Sequence, residues 1–328
     1  MGTLIPMRAV QFTEYGAPAV LRMVTREKPT PRDDQVLIRI RATTVTSAEC
    51  GMRRGEPAWG RPIIGLRRPR PRYRTLGNEL AGDIEAVGAA VRRFRPGDQV
   101  FGFAGFNPGA NADYLCLPES ASIEIKPANL SYEDSAAAVD GATTALYFLR
   151  GRADVQPGQR VLVIGAAGSI GTYAVQLAKR FGAHVTGVCS TRNVELVRSL
   201  GADEVVDYTR EDFTTAGATY DVIFDTVGKS SFRRCRPALT RTGLYLPTTG
   251  LANAFLMAAT SFTRGPQVRT GMSVRKNDAL VFIRGLLEAD ELRVVVDRRY
   301  PLERIAEAHE YVDTGRKVGN VVITMDQG

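Results

Sequence analysis

The sequence predicts an α/β protein in which a β-rich domain precedes a parallel sheet with crossover helices. Three observations carry this expectation. Residues 1 to about 127 are punctuated by Gly and Pro and hold short alternating or apolar runs. From about Ser131 onwards strand patterns alternate with helical ones. A glycine-rich turn, Gly165 to Gly171, stands where one such strand passes into a helix. At 328 residues the chain is long enough for two domains.

In the first region the expected strands are Arg8 to Phe12, Val36 to Ala42, Leu80 to Val87, Gln99 to Phe103 and Tyr114 to Leu117. Between them, Arg53 to Arg74 holds eight arginines and four prolines in 22 residues. It is too proline-rich for a helix and too polar for a core strand, and reads as an exposed arm or lid. The second region offers strands at Arg160 to Gly165, His184 to Cys189, Glu204 to Tyr208, Asp221 to Thr226 and Gly243 to Pro247, with a helix from about Ile170 to Phe181. Its apolar residues Ile170, Ala174, Leu177, Ala178 and Phe181 fall on one face. The tail, Leu292 to Met325, reads strand, helix (Leu302 to Val312), strand (Asn320 to Thr324), and is able to return to the first domain. The division expected is therefore 1–127, 128–287 and 288–328.

Composition narrows the function classes. Lys and Arg number 43 against 35 Asp and Glu, a net charge of +8, so the surface attracts anions. Cys50, Cys116, Cys189 and Cys235 are scattered, without the C-x-x-C spacing of a zinc knuckle, a redox pair or a disulfide framework. There is neither a secretory h-region nor a run of roughly 18 apolar residues. A cytoplasmic protein with no membrane partner is expected, and with no nucleic-acid motif, no nucleic-acid partner.

The turn Gly165-Ala166-Ala167-Gly168-Ser169-Ile170-Gly171 has the context of a dinucleotide site. Gly168 lets backbone approach a pyrophosphate, Gly171 lets the helix pack closely on the strand, and the helix N-terminus presents N–H groups to the anion. An NAD-selective site carries an acidic residue about 20 positions on. Here the stretch reads Cys189-Ser190-Thr191-Arg192-Asn193, with no acid before Glu195. Two hydroxyls and a guanidinium suit a 2′-phosphate, so NADPH is the expected cofactor.

Beyond this motif, Met7 to Thr13 (MRAVQFT), Gly97 to Gly102 (GDQVFG), Cys189 to Asp203 (CSTRNVELVRSLGAD), Val206-Asp207-Tyr208, Phe224 to Gly228 (FDTVG) and Gly319 to Ile323 (GNVVI) together resemble the zinc-independent medium-chain dehydrogenases/reductases of the quinone oxidoreductase type. The resemblance covers nearly the whole chain. It implies a GroES-like β-rich catalytic domain built from both termini, a doubly wound Rossmann domain inserted in it, an active site in the cleft between, and a homodimer joined through Rossmann sheet edges.

Zinc-containing relatives hold the metal with a Cys, a His in a Gly-His-Glu triplet, and a further Cys or acid. The matching positions are Thr46, Asn78 and Asp140, a poor ligand set, so a metal-free site is expected. His184 and His309, the two histidines of the chain, read as structural. Without a metal to hold an alkoxide, the resemblance implies reduction: hydride passes from NADPH to a quinone or to the β-carbon of an α,β-unsaturated carbonyl, and charge develops on a conjugated oxygen.

Carried over by position, the catalytic candidates are Thr46, Glu49, Asn78, Asp140 and Thr144. Thr46 or Asn78 would donate to the substrate oxygen, and Thr144 would touch the nicotinamide. The cofactor candidates are Ala166, Ala167, Gly168, Ser169, Ile170 and Gly171 at the pyrophosphate; Ser190, Thr191, Arg192 and Tyr208 at the 2′-phosphate; Thr226, Val227 and Gly228 at the nicotinamide ribose; and Lys317 and Asn320 reaching back from the tail. Relatives carry Asn at the position of Thr46 and an apolar residue at that of Asp140, which leaves the substrate pocket open. Tyr73 and Tyr147 are candidate proton donors beside bulk water. Two other functions stay open: an anionic or acyl-thioester enone as substrate, drawn in by the arginine arm, and a non-catalytic NADPH-sensing or RNA-binding protein.

Overall fold

The computed structural model describes residues 5–105, 107–215, 217–250 and 252–325. In chain order the elements are β1 (Pro6–Gln11), β2 (Arg22–Glu27), β3 (Gln35–Thr44), α1 (Ser47–Arg54), α2 (Arg61–Ile64), β4 (Glu79–Val87), β5 (Gln99–Phe103), β6 (Tyr114–Pro118), β7 (Ser122–Ile125), α3 (Tyr132–Ala137), α4 (Asp140–Leu146), β8 (Arg160–Ile164), α5 (Ser169–Arg180), β9 (His184–Cys189), α6 (Val194–Ser199), β10 (Glu204–Asp207), β11 (Tyr220–Asp225), α7 (Phe232–Cys235), β12 (Leu239–Pro247), α8 (Ala252–Ser261), β13 (Gln267–Val268), α9 (Asn277–Glu288), β14 (Val296–Pro301), α10 (Ile305–Asp313) and β15 (Asn320–Thr324).

The chain forms two compact units. One comprises the residues up to Asp140, Arg275–Ala289 and those from Val296 onwards; the other comprises Gly141–Val274 and Asp290–Val295. These divisions lie away from the expected 127/128 and 287/288, because α3 packs on β3 and β4, and α9 on β7.

The first unit is built on a seven-stranded sheet with the order β14-β15-β3-β4-β5-β7, β6 pairing with β3 off this path. Along β3, Val36, Ile38 and Ile40 alternate into the core beside Val100, Ile123, Val321 and Ile323. The tail closes this sheet: β15 runs antiparallel to β3, with Val322 opposite Thr44.

The second unit is a six-stranded parallel sheet ordered β10-β9-β8-β11-β12-β13. Counted from β8, the order is 3-2-1-4-5-6, the doubly wound Rossmann arrangement, with its switch point between β8 and β11. Val161, Leu162, Val163 and Ile164 of β8 are all buried, as a central parallel strand requires. The expected strand at Gly243 begins earlier, at Leu239, and pairs with β11.

The arginine-rich stretch departs from the expectation of a helix-free exposed arm. Its start lies on α1, and Arg53 is completely buried, donating to Gly16 O at 2.7 Å and pairing with Asp313. Thr46 caps α1 and Gly55 ends it in the left-handed conformation, so the proline-poor start of the stretch has good helix boundaries. The remainder, from Pro57 to Arg72, is a chain of short turns around α2.

Candidate functional site

In the second unit, β8 delivers the chain into the glycine turn and α5 leaves it. A Cβ on Gly171 would lie 2.0 Å from Gly165 O, so only glycine allows the helix to sit this close to the strand end. Gly168 is the N-cap of α5 and no side chain caps the helix. The first turn, Ser169, Ile170 and Gly171, therefore directs backbone N–H groups outward at the positive end of the helix dipole, an anion site. Ala166 and Ala167 are buried beneath it.

The segment after β11 meets this turn, since the space at Gly165 is bounded by Thr226 Oγ1 and Val227 Cγ1. The Thr226 hydroxyl donates to Ile164 O at 2.8 Å, tying β11 to β8. Sequence reasoning missed the residue that shapes this segment. Buried Asp225 accepts hydrogen bonds from the backbone N–H groups of Val227 (3.2 Å), Gly228 (2.8 Å), Lys229 (3.3 Å) and Ser230 (2.9 Å), and from Tyr245 Oη (3.0 Å). An acid followed by Gly two or three residues on is the signal for such a turn, and Asp225-Thr226-Val227-Gly228 has it.

At the end of β9, Ser190 is half-buried, Thr191 and Arg192 are exposed, and Tyr208 beyond β10 is exposed. A carboxylate does stand here, but it comes from the neighbouring strand. Asp207 lies opposite Cys189 and accepts from Thr191 Oγ1 at 2.5 Å and Thr209 Oγ1 at 2.7 Å. The Thr191 bond, then the Thr209 bonds and the Arg210 charge, hold its carboxyl below the usual range. Thr191 is thus engaged within the protein, and Ser190, Arg192 and Tyr208 remain on the outer side of the loop.

The first unit gathers the other candidates. Thr46 and Glu49 form a reciprocal capping box on α1: Thr46 Oγ1 accepts from Glu49 N at 3.2 Å, and Glu49 Oε2 accepts from Thr46 N at 3.0 Å. Glu49 Oε1 also accepts from Gly77 N at 2.6 Å. The T-x-x-E spacing announces this arrangement in the sequence. Burial pushes the Glu49 carboxyl up to about 7.

Neighbouring Glu79 is also buried, with Oε1 accepting from Asp140 N at 2.6 Å and Oε2 accepting from Thr44 Oγ1. Burial and then the nearby Asp140 charge push it up to about 8. Asp140 Oδ1 is 2.8 Å from Lys276 Nζ, whose ammonium also lies 4.9 Å from the centroid of the Phe103 ring. Lys276 was not anticipated; it is more than 130 residues from Asp140, and no local pattern links the two. Asn78 Oδ1 is buried without a hydrogen-bond partner among the described residues.

Of the other candidates, Lys317 feels the Glu79 charge, although burial, the larger effect, lowers its ammonium below the usual range. Thr144 is half-buried on α4, in the second unit. Lys317 donates to Gly319 O at 2.7 Å and Asn320 is buried at the start of β15. Tyr73 Oη accepts from Arg72 at 2.6 Å and Tyr147 Oη from Arg152 at 2.8 Å. His309 is buried with Nδ1 3.3 Å from Cys50 Sγ, and His184 is exposed beside Glu204. Among the described residues no group of three or more His, Cys, Asp or Glu is arranged to hold a metal ion, and no helix is long and apolar enough to cross a membrane.

Comparison with known proteins agrees with this architecture. The model of the alcohol dehydrogenase GroES-like domain matches residues 32–127, and that of zinc-binding dehydrogenases matches residues 200–323. A 2-methylene-furan-3-one reductase of Solanum lycopersicum is 31% identical over 97% of this chain and 79% of its own length. The chain belongs to the quinone oxidoreductase-like medium-chain dehydrogenase/reductase family. A chloroplastic quinone oxidoreductase of Triphysaria versicolor is 29% identical over 97% of this chain and 98% of its own. The solved quinone oxidoreductase of Coxiella burnetii superposes with a TM-score of 0.89 at 28% identity, covering 98% of this chain and all of that one.

Proposed function

We propose that this family member is an NADPH-dependent oxidoreductase that reduces a quinone or the conjugated double bond of an α,β-unsaturated carbonyl. The observation that carries the reading is the uncapped N-terminus of α5 at the centre of a 3-2-1-4-5-6 sheet, followed by a β9 loop with exposed Arg192 and no carboxylate of its own. Relatives named quinone oxidoreductase and 2-methylene-furan-3-one reductase support the substrate class.

The residues fit NADPH: the turn Ala166 to Gly171 would hold the pyrophosphate, Ser190, Arg192 and Tyr208 the 2′-phosphate, and the segment Thr226 to Gly228 the nicotinamide ribose. When bound, the cofactor supplies the hydride. The chain's part is to position, exclude water and stabilise charge. Asn78 Oδ1, an acceptor, is buried without a hydrogen-bond partner among the described residues and suits an N–H or O–H donor of a bound molecule. The Thr46 hydroxyl is committed to the helix cap, so the NH2 end of Asn78, not its orphaned Oδ1, would be the donor to a substrate oxygen. Glu49 and Glu79, whose carboxyl groups burial holds above the usual range, fix the backbone at Thr46, Gly77 and Asp140 by accepting from their N–H groups.

The residues do not fit zinc. Thr46 is bound in a capping box, Asn78 is a poor ligand, and Asp140 already faces an ammonium. A metal-free reaction follows.

A cytoplasmic homodimer is part of this proposal. The edge strand β13 is paired on one side, and Phe255 and Phe262 beside it are exposed; light scattering of purified protein gives the mass directly.

Calorimetric titration with NADPH and NADH, followed by a panel of quinones, alkenals and enones, tests the reading. Tight NADPH binding with oxidation by at least one acceptor upholds it. Absence of NADPH binding overturns it.

A further inference from the structure

Apart from the candidate Tyr73, the segment Pro57 to Arg74 takes no part in the sites above, and its surface is unusual. It carries Arg61, Arg67, Arg68, Arg70, Arg72 and Arg74, and no acidic residue lies between Glu56 and Glu79. Within the arginine-rich stretch, the guanidiniums that pair with carboxylates among the described residues are those of Arg53 and Arg54, at its start. The later ones turn to backbone or rings: Arg61 donates to Gly55 O, Arg70 to Pro62 O, and Arg72 lies over Tyr73.

The same segment exposes large apolar side chains: Leu66 is 69% exposed, Trp59 56% and Ile63 55%. They are held by defined structure. Gly65 N bonds to Arg61 O at 2.7 Å and Arg70 N to Ile64 O at 2.8 Å, closing a compact loop that Tyr15 Oη fastens through Gly65 O at 2.6 Å. Gly65 has φ +134°, and a Cβ there would lie 1.9 Å from Arg68 O. Gly65 and Pro69 face inward while Ile63, Leu66, Arg67, Arg68 and Arg70 project.

We propose that this loop docks the protein on a lipid bilayer containing anionic headgroups. Guanidiniums without carboxylate partners match lipid phosphates and carboxylates. Trp beside Leu and Ile is the set that enters the headgroup boundary, with the ring at the interface and the aliphatic chains beneath it. Single-stranded nucleic acid would demand stacking rings, but Tyr73 is buried and Trp59 is the exposed aromatic of the loop. A small anionic substrate would use the arginines and leave Leu66 and Ile63 without a role. The proposal departs from the expectation of a protein with no membrane partner: the chain would lie on a bilayer without crossing it. It goes beyond the reductase reading and does not depend on it.

Trp59 is the only tryptophan in the chain, so its fluorescence reports on this loop alone. The protein is titrated with phosphatidylcholine vesicles with and without phosphatidylglycerol, with brominated lipid as quencher. Expected are a shift to shorter wavelength and quenching with anionic vesicles, reversed by high salt. The triple variant Arg67→Ser, Arg68→Ser, Arg70→Ser weakens partitioning by about a hundredfold. Leu66→Ser reduces quenching, and both variants retain wild-type NADPH affinity as evidence of folding. An unchanged Trp59 spectrum with anionic vesicles overturns the proposal, as does equal binding to neutral vesicles that ignores the arginines. Binding of RNA or an acyl-thioester at the loop with vesicles left untouched reassigns the surface and likewise overturns it.

Discussion

The Lys276 ammonium lies 2.8 Å from Asp140 Oδ1. The lysine side chain has no solvent exposure, whereas that of Asp140 is 36% exposed. Lys276→Met leaves a carboxylate that can still turn to water, so the cost falls at the lower end of what breaking a buried pair produces, about 3 kcal/mol. Adding Asp140→Asn removes the uncompensated charge and returns part of the loss. Chemical denaturation of both variants checks this. A loss below about 1 kcal/mol would make the pair equivalent to an exposed one.

The same pair bears on metal content. A cation cannot join Asp140 without displacing Lys276, and Thr46 and Asn78 supply no compensating ligand. Elemental analysis of purified protein is expected to find no stoichiometric zinc, and dialysis against a chelator to leave turnover unchanged. One zinc per chain with chelator-sensitive turnover would refute the metal-free reading.

Arg192 stands on the exposed side of the loop after β9, where Thr191 is already bound to Asp207. Arg192→Ala should raise the dissociation constant for NADPH about tenfold or more, the scale of a lost charge-assisted hydrogen bond, and change that for NADH little. Equal losses for both nucleotides would remove the 2′-phosphate assignment.

These sites show what was legible in the chain and why. The strand, turn and helix around Gly165 to Gly171 are one contiguous piece, and the strand and helix periods declare themselves within about 20 residues. Thr46 and Glu49 were equally local, yet their T-x-x-E spacing signals a helix cap before it signals chemistry. The role of Asp207 and the presence of Lys276 at the site escaped for a different reason. Each acts on a partner brought close by sheet pairing or by chain return, and neither leaves a periodic trace. Arg53 was misjudged because an arginine run suggests solvent, and its burial depends on Asp313, 260 residues away.

Stability should depend on pH through the buried carboxyls. Glu49 and Glu79 have folded-state values of about 7 and about 8, above the ordinary 4.5, because burial disfavours their charged forms. The folded protein therefore binds more protons than the unfolded chain, and stability falls as pH rises through 7 and 8. His309, pushed down to about 3 by burial and then by Arg53, acts oppositely below about pH 6.5. Denaturation midpoints should thus decline from about pH 6.5 to 8, and Glu79→Gln should flatten part of that decline. A midpoint that rises over this window would contradict the burial argument.

Asp225 organises the segment assigned to the nicotinamide ribose. Its two oxygens accept from four backbone N–H groups and Tyr245. Asparagine keeps one acceptor oxygen and turns an NH2 toward N–H donors, leaving buried groups unsatisfied at about 1–3 kcal/mol. Asp225→Asn should lower stability by that amount and loosen Thr226 to Gly228. KM for NADPH should rise about tenfold while kcat changes less, because the loss falls on positioning and not on a group that meets the reacting atoms. If the variant is destabilised but keeps wild-type NADPH affinity, the segment after β11 serves the sheet alone, and Thr226, Val227 and Gly228 leave the cofactor site.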